Sequence, residues 1–128
     1  MELQLFNPRV LVCGGRKFSD RKLVYAALDK LYNSNYIGRM TIIEGGALGA
    51  DRLAQDWANQ LHIDVELLTC PAEWERYGDV AGYKRNTSMA DMKPDVCLAF
   101  LGGRGTQNMV DICRERNIKV HTINWKHR

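Results

Sequence analysis

Short apolar runs alternate with amphipathic segments from one end of this chain to the other. Each apolar run is five or six residues long, and most are followed by a segment in which apolar residues recur every three or four positions. The first pattern is typical of strands and the second of helices. We therefore predict strands at about Arg9–Cys13, Thr41–Glu44, Val65–Leu68, Asp95–Leu101 and Lys119–Ile123.

The amphipathic segments predict four helices. The first runs from about Asp20 to Tyr32, with either Ser19 or Asp20 as its N-cap. Two others cover about Gly82–Met92 and Thr106–Arg116, while glycines and aromatics between Ala72 and Tyr83 interrupt the helical period. The remaining helix, which follows the second strand, places on one side Leu53, Ala54, Trp57, Ala58 and Leu61.

This alternation of strands and helices defines the expected fold class. Strands that are apolar on both faces belong in the middle of a parallel sheet, and right-handed crossovers place helices on both sides of it. We predict an α/β fold: a single Rossmann-like three-layer domain over residues 1–128, with its core at about 9–123. The sheet is expected to be mainly parallel and five-stranded, in the order 3-2-1-4-5. Its ligand crevice then lies at the carboxyl ends of strands one and four, where the strand order reverses.

Composition narrows the function class. With 128 residues and 45% hydrophobic content the chain is long enough for one domain with a substantial core. Its apolar runs are far shorter than a membrane span, and its first residues lack the features of a signal peptide, so we expect a cytoplasmic protein with no membrane partner. A net charge of +3 fits a small anionic ligand and is too weak to indicate nucleic acid as a partner.

The four cysteines and three histidines do not predict a metal site. No pair of cysteines has the spacing of metal ligands, and no histidine lies close to a cysteine in the sequence. We expect no metal and no cofactor, and we interpret the cysteines as buried or inert thiols.

Three glycine clusters carry the strongest functional signal. Each lies where a predicted strand gives way to a helix, so backbone amides and the positive end of a helix dipole are available to a phosphate. Their convergence at one sheet edge indicates a nucleotide-like ligand. The clusters contain the predicted binding residues Gly14, Gly15, Arg16, Gly45, Gly46, Gly49, Asp51, Gly102, Gly103, Gly105 and Thr106.

Polar residues beside these glycines leave several alternatives open. Arg16 is placed to pair with a phosphate or carboxylate. Asp51 is either an acid stabilised by the helix dipole or a direct ligand contact. Glu44, which is expected to point toward the crevice, either binds a ribose or base edge or caps a loop. Thr106 is either an N-cap or a phosphate contact, and both roles can coexist.

Two further groups follow the irregular segment. Arg85 and Met89 are four residues apart and share a helix face, although a solvated basic face is the alternative for Lys84 and Arg85. Trp74 and Tyr77 are candidates for an aromatic wall beside a base, and packing over a helix is the alternative.

Taken in order, these motifs resemble the YspA/YpsA-related branch of the SLOG superfamily, which includes cytokinin-activating phosphoribohydrolases and DprA-type DNA-processing proteins. The similarity extends from Val10 to about Ile123. It is carried by Gly14-Gly15-Arg16, Gly45-Gly46-Ala47 with Gly49-Ala50-Asp51, Pro71 with Trp74, Ala81-Gly82 with Arg85-Asn86 and Met89, and Gly102-Gly103 with Gly105-Thr106, Met109 and Val110.

The resemblance implies a nucleotide-binding Rossmann-like domain. In the phosphoribohydrolase branch an arginine in an Arg-x-x-x-Met motif and a later glutamate cleave the N-glycosidic bond of a nucleoside monophosphate. Arg85 and Met89 match the first motif, but the glutamate position is Met109 here, which cannot stabilise an oxocarbenium-like charge. Catalysis would therefore require Arg85 together with another acid, Glu44 or Asp51.

We expect a protein that binds a nucleotide or an ADP-ribose-like ligand and acts as a sensor or sequestering protein, with Trp74 and Asn86 completing its binding residues. One alternative is a nucleotide N-glycosidic hydrolase, and a second is a DNA-associated, DprA-like role. The resemblance and the apolar helix surfaces also favour a homodimer.

Overall fold

A computed structural model describes residues 7–33, 39–60 and 64–125. Within these ranges the strands are β1 (Arg9–Cys13), β2 (Met40–Glu44), β3 (Val65–Thr69), β4 (Val96–Phe100) and β5 (Lys119–Ile123). The α-helices are α1 (Arg21–Asn33), α2 (Ala50–Ala58), α3 (Trp74–Tyr77), α4 (Ala81–Asp91) and α5 (Arg104–Glu115), and a 3-10 turn, Gly78–Val80, joins α3 to α4.

The five strands form one parallel sheet in the order β3-β2-β1-β4-β5, which confirms the predicted fold class and strand order. The central strand β1 pairs on one side with β2 and on the other with β4, so Val10 lies beside both Ile42 and Val96. The order reverses between β1 and β4. The loops that follow these two strands therefore flank the crevice, as the sequence predicted.

Alternating side chains of β1 supply two separate cores. Val10 and Val12 belong to the core formed with α1 and α2, whereas Leu11 and Cys13 belong to the core formed with α4 and α5. Because β1 is buried on both faces, it has no polar alternation, and this produces the continuous apolar run seen in the sequence.

The helix boundaries follow local capping. Asp20 caps the first helix, since its Oδ1 accepts a hydrogen bond from the Leu23 amide at 3.1 Å. Thr106 is not an N-cap: α5 begins at Arg104 with Gly103 at the N-cap position, so Thr106 already lies inside the helix. On α2 the four predicted core residues from Leu53 to Ala58 are buried, and Leu61 lies outside the described residues. None of the described helices combines the length and apolar character required to cross a membrane.

The core formed with α4 and α5 is rich in sulfur. All four cysteines are free, and Cys13, Cys97 and Cys113 are buried, whereas Cys70 is partly exposed. The sulfur atoms of Cys13 and Cys97 are 3.8 Å apart. A hydrogen bond with Cys97 and burial raise the pKa of the Cys113 thiol, so the thiolate that reacts with electrophiles is disfavoured.

Candidate functional site

A cavity of about 580 Å³ opens at the carboxyl ends of β1 and β2, within the range of about 300–1,000 Å³ typical of ligand sites. We call it the main cavity. Its walls come from the loops after β1, β2 and β3, from α4 and from the start of α5. The predicted binding residues that line it are Gly14, Gly15, Arg16, Gly45, Gly46, Asp51, Trp74, Arg85, Asn86, Gly103, Gly105 and Thr106.

Two predicted binding residues, Gly49 and Gly102, do not line the main cavity and instead allow the loops to touch. Gly49 has φ of +83°, and a Cβ there would lie 2.1 Å from the carbonyl oxygen of Gly15. A Cβ on Gly102 would lie 2.7 Å from the Gly15 nitrogen. The amide of Gly15 also donates to the carbonyl of Leu101 at 3.0 Å. These two glycines therefore set the spacing of the three loops.

The start of α5 presents free backbone donors to the main cavity. No side chain caps this helix, so the amides of its first turn, at Arg104, Gly105 and Thr106, have no partner within the helix. A Cβ built on Gly103 or Gly105 would meet nothing within 4 Å, so the backbone is openly accessible here. The positive end of the helix dipole adds to these donors, and the arrangement favours an anion.

The loop between β2 and α2, residues 45–49, is the second glycine loop, and we call it the second loop. In contrast to the start of α5, its amides form hydrogen bonds within the protein. Oδ2 of Asp51 accepts from the amides of Gly45 at 3.1 Å and Ala47 at 3.2 Å. Oε1 of Glu44 accepts from the amide of Gly46 at 2.7 Å. The three amides that the sequence offered to a phosphate are thus bound to the protein's own carboxylates. This loop contributes a wall and an acid to the site, and its free donors are fewer than we expected.

Asp51 is a buried acid that lines the main cavity. Burial, assisted by the negative charge of Glu44, raises its pKa to about 7, although two backbone amides and the positive charge of Arg85 act in the opposite direction. The side chain therefore does more than complement the dipole of α2. It holds the second loop and can gain or lose a proton near neutral pH.

Glu44 does not point into the main cavity, contrary to our expectation. The residue is fully buried and absent from the cavity lining. Its Oε1 also accepts a hydrogen bond from Nε2 of Gln55 at 2.8 Å, while Oε2 has no partner among the described residues. Of the alternatives for Glu44, the structure supports the loop cap.

Arg85 on α4 reaches across to the second loop. Its Nη1 donates to the carbonyl of Gly45 at 2.8 Å and its Nε to Oδ1 of Asn86 at 3.0 Å. A Cβ on Gly45 would lie 2.2 Å from Nη1, so a side chain there would displace the Arg85 guanidinium from this position. Asn86 in turn donates to the carbonyl of Gly105 at 3.1 Å and to Asn108 at 3.0 Å. Arg85 and Asn86 thus connect the second loop to the start of α5.

Aromatic and aliphatic side chains form the outer wall of the main cavity. Trp74 is 48% exposed, and the guanidinium carbon of Arg16 lies 5.9 Å from the centre of its ring. Tyr83 and Leu48 also line the cavity and are exposed. Tyr77 does not belong to this wall, because its ring lies in a different cavity beneath Nζ of Lys84.

Sequence reasoning missed Leu48, Asp79 and Tyr83 as lining residues. Leu48 and Asp79 carried no recognisable signal. Tyr83 had one: Gly82, Arg85, Asn86 and Met89 recur at i, i+3, i+4 and i+7, which marks the helix face that turns toward the site, and Tyr83 lies beside it.

Met109, the position of the family glutamate, is fully buried in the core beside α4 and does not line the main cavity. No carboxylate can act from this position. Of our predicted pair of acids, Asp51 lines the main cavity and Glu44 does not; Asp79 is a second acid in the lining.

The fold and this site define a Rossmann-like protein with glycine loops around a cavity at the carboxyl ends of the strands. The chain belongs to the YspA, cpYpsA-related SLOG family, whose pattern it matches over residues 8–77. It is similar to the Gene 61 protein of Mycobacterium phage D29, with 39% identity over 118 residues that cover 88% of this chain and 93% of the phage protein. No solved structure matches the chain significantly.

Proposed function

We propose that this protein binds a nucleotide or a nucleotide-derived, ADP-ribose-like ligand in the main cavity and acts as a sensor or sequestering protein. One observation carries the proposal. The main cavity combines the uncapped start of α5, the cations Arg16 and Arg85, and the exposed rings of Trp74 and Tyr83. Membership of the SLOG family supports a nucleotide-related role in general.

The electrostatics support an anionic group at the inner end of the site. The ion pairs within the described ranges involve Arg21, Arg52 and Arg116 and leave out both arginines of the main cavity. Arg85 is held in place by neutral acceptors, so its positive charge remains available for a phosphate. A guanidinium and free helix amides together form charge-assisted hydrogen bonds with phosphate oxygens.

The outer wall supports a planar, partly apolar group. A base that stacks on Trp74 would bury an aromatic surface that is now exposed to water, and aromatic pairs contribute about 0.5–1.5 kcal/mol beyond the area they bury. The guanidinium of Arg16 lies 5.9 Å from the centre of this ring, which supports a contact between Arg16 and a base or phosphate bound there.

The test is a thermal-shift titration with AMP, ADP, ADP-ribose and NAD, followed by calorimetry of any ligand that stabilises the protein. Arg85→Met should abolish the stabilisation by ligand. Lys84→Met is the matched control, because it removes one positive charge from the same helix outside the main cavity. Gly103→Val should also prevent binding while the free protein folds, since a side chain there meets open space and blocks the amides. Equal stabilisation of all three variants would contradict the proposal.

A second candidate function is hydrolysis of the N-glycosidic bond of a bound nucleotide. The observation that favours it is the position of Asp51, which lines the main cavity near Arg85 and has a pKa of about 7, in the range useful for a general acid or base. Release of free base from AMP, lost in Asp51→Asn while AMP still binds, would support this candidate. Binding without any release over hours at micromolar protein would leave the sensor or sequestering role.

A further inference from the structure

A second cavity adjoins the main cavity across a ridge formed by Gly15, Arg16 and Gly103, which line both. It measures about 500 Å³ and lies between the loop after β1 and the loop after β4. Its own lining includes Phe18 and Leu101. The two cavities therefore meet at the point where the strand order of the sheet reverses.

Most of the surface that lines the second cavity is apolar, although Lys17, Ser19, Asp20 and Asn124 also line it. Leu101 is 46% exposed, and the partly buried ring of Phe18 packs against Phe100 with ring centres 5.3 Å apart. The large hydrophobic side chains that are exposed in the described part of the chain number five. Four of them line one of the two cavities: Leu48, Trp74 and Tyr83 in the main cavity and Leu101 in the second.

The ridge between the cavities carries positive charge. Arg16 is exposed there, Lys17 follows it in the second cavity, and Gly103 is the N-cap of a helix whose first amides are free. A dianionic linker would find donors and positive charge on the ridge, with an apolar surface on either side of it.

We propose that the two cavities bind one ligand with two lobes joined by a diphosphate, such as a nucleotide sugar or a dinucleotide. The nucleoside lobe lies against Trp74 in the main cavity, the diphosphate crosses the ridge at Arg16 and Gly103, and the second sugar or base lies against Leu101. This inference rests on the proposed function, because it assigns the second half of the same ligand. A mononucleotide would occupy the main cavity alone and leave Leu101 exposed to water.

The experiment compares the affinities of ADP, ADP-ribose and NAD by calorimetry. ADP carries one lobe and the diphosphate, whereas the other two carry a second lobe. The wild-type protein should bind ADP-ribose or NAD about 10-fold more tightly than ADP, the order of discrimination that a few apolar contacts provide. In Leu101→Asn this preference should fall to about 2-fold or less, while the affinity for ADP itself changes little.

Val80→Asn is the matched control. Val80 is 49% exposed, close to the 46% of Leu101, and it lines neither cavity. It should keep the preference of the wild-type protein. Equal affinities for ADP and the two-lobed ligands, or a preference that survives Leu101→Asn, would overturn the two-lobe inference and leave the proposed function standing. Failure of all three probes to bind the wild-type protein would overturn the proposed function and this inference together.

Discussion

The proton on Asp51 gives the sharpest quantitative prediction. Its pKa is about 7 in the folded protein and 3.8 in an unperturbed chain, because folding removes the carboxyl group from water. Between these two values the folded protein holds a proton that the unfolded chain has released. The free energy of unfolding contributed by Asp51 therefore falls as the pH rises through this window.

The size of this effect follows from the two pKa values. Because the folded state retains a proton that the unfolded chain has released, the free energy of unfolding falls by about 2–3 kcal/mol from about pH 5 to about pH 8 through this one group. Asn cannot ionise, and its side-chain oxygen can still accept from the amides of Gly45 and Ala47. The difference in unfolding free energy between Asp51→Asn and the wild-type protein should therefore grow by about 2–3 kcal/mol, in favour of the variant, from about pH 5 to about pH 8.

The assay is urea unfolding followed by tryptophan fluorescence, repeated across this pH range for both proteins. Taking the difference between variant and wild type cancels the titration of groups that both proteins share. Asp111→Asn is the control for the loss of an exposed carboxyl group, since Asp111 is exposed on α5. A pH-independent difference for Asp51→Asn would refute the reasoning that burial keeps this acid protonated.

Two further predictions concern contacts at the site, and a third concerns the assembly of the chain. Glu44→Gln removes the negative charge beside Asp51, so the pKa of Asp51, measured by NMR of its carboxyl carbon, should fall, and an unchanged midpoint would contradict the coupling. Gly49→Ala should cost at least about 1–3 kcal/mol in urea unfolding, because its φ is positive and the neighbouring loop touches it, whereas Gly103→Ala should change stability little. We also propose a homodimer: light scattering should give twice the 14.6 kDa mass of the chain, and a mass near 14.6 kDa at micromolar concentration would count against it.

The strands of the sheet could be predicted because each is marked by an apolar run within its own segment of the sequence. Continuous apolar runs such as Val10–Val12 are typical of strands with both faces covered, and the order 3-2-1-4-5 is the one we expected for a Rossmann-like sheet. The strand order in turn placed the glycine loops at one edge. This is why most of the predicted binding residues line one cavity.

The hydrogen bonds within the site could not be predicted, since they depend on side chains that approach only after folding. Nothing in the sequence shows that Asp51 turns back to the amides of Gly45 and Ala47, or that Glu44 is directed away from the cavity toward Gln55. We predicted that α5 begins at Thr106, whereas it begins at Arg104. Gly105 is a poor helix former, so the sequence does not mark the first turn as helical. Tertiary contacts outweighed local preference at each of these positions.

The buried thiols of the core formed with α4 and α5 allow the rate of local opening in this half of the protein to be measured. Cys70 is partly accessible in the native state, while Cys13, Cys97 and Cys113 are enclosed. An alkylating reagent should therefore reach Cys70 in the native state, although burial raises the pKa of that thiol, and should reach the other three cysteines only when this half of the molecule separates from the sheet. Mass spectrometry of the labelled protein over time would then report how often that half opens, with and without a ligand, and no foreign probe would need to be introduced.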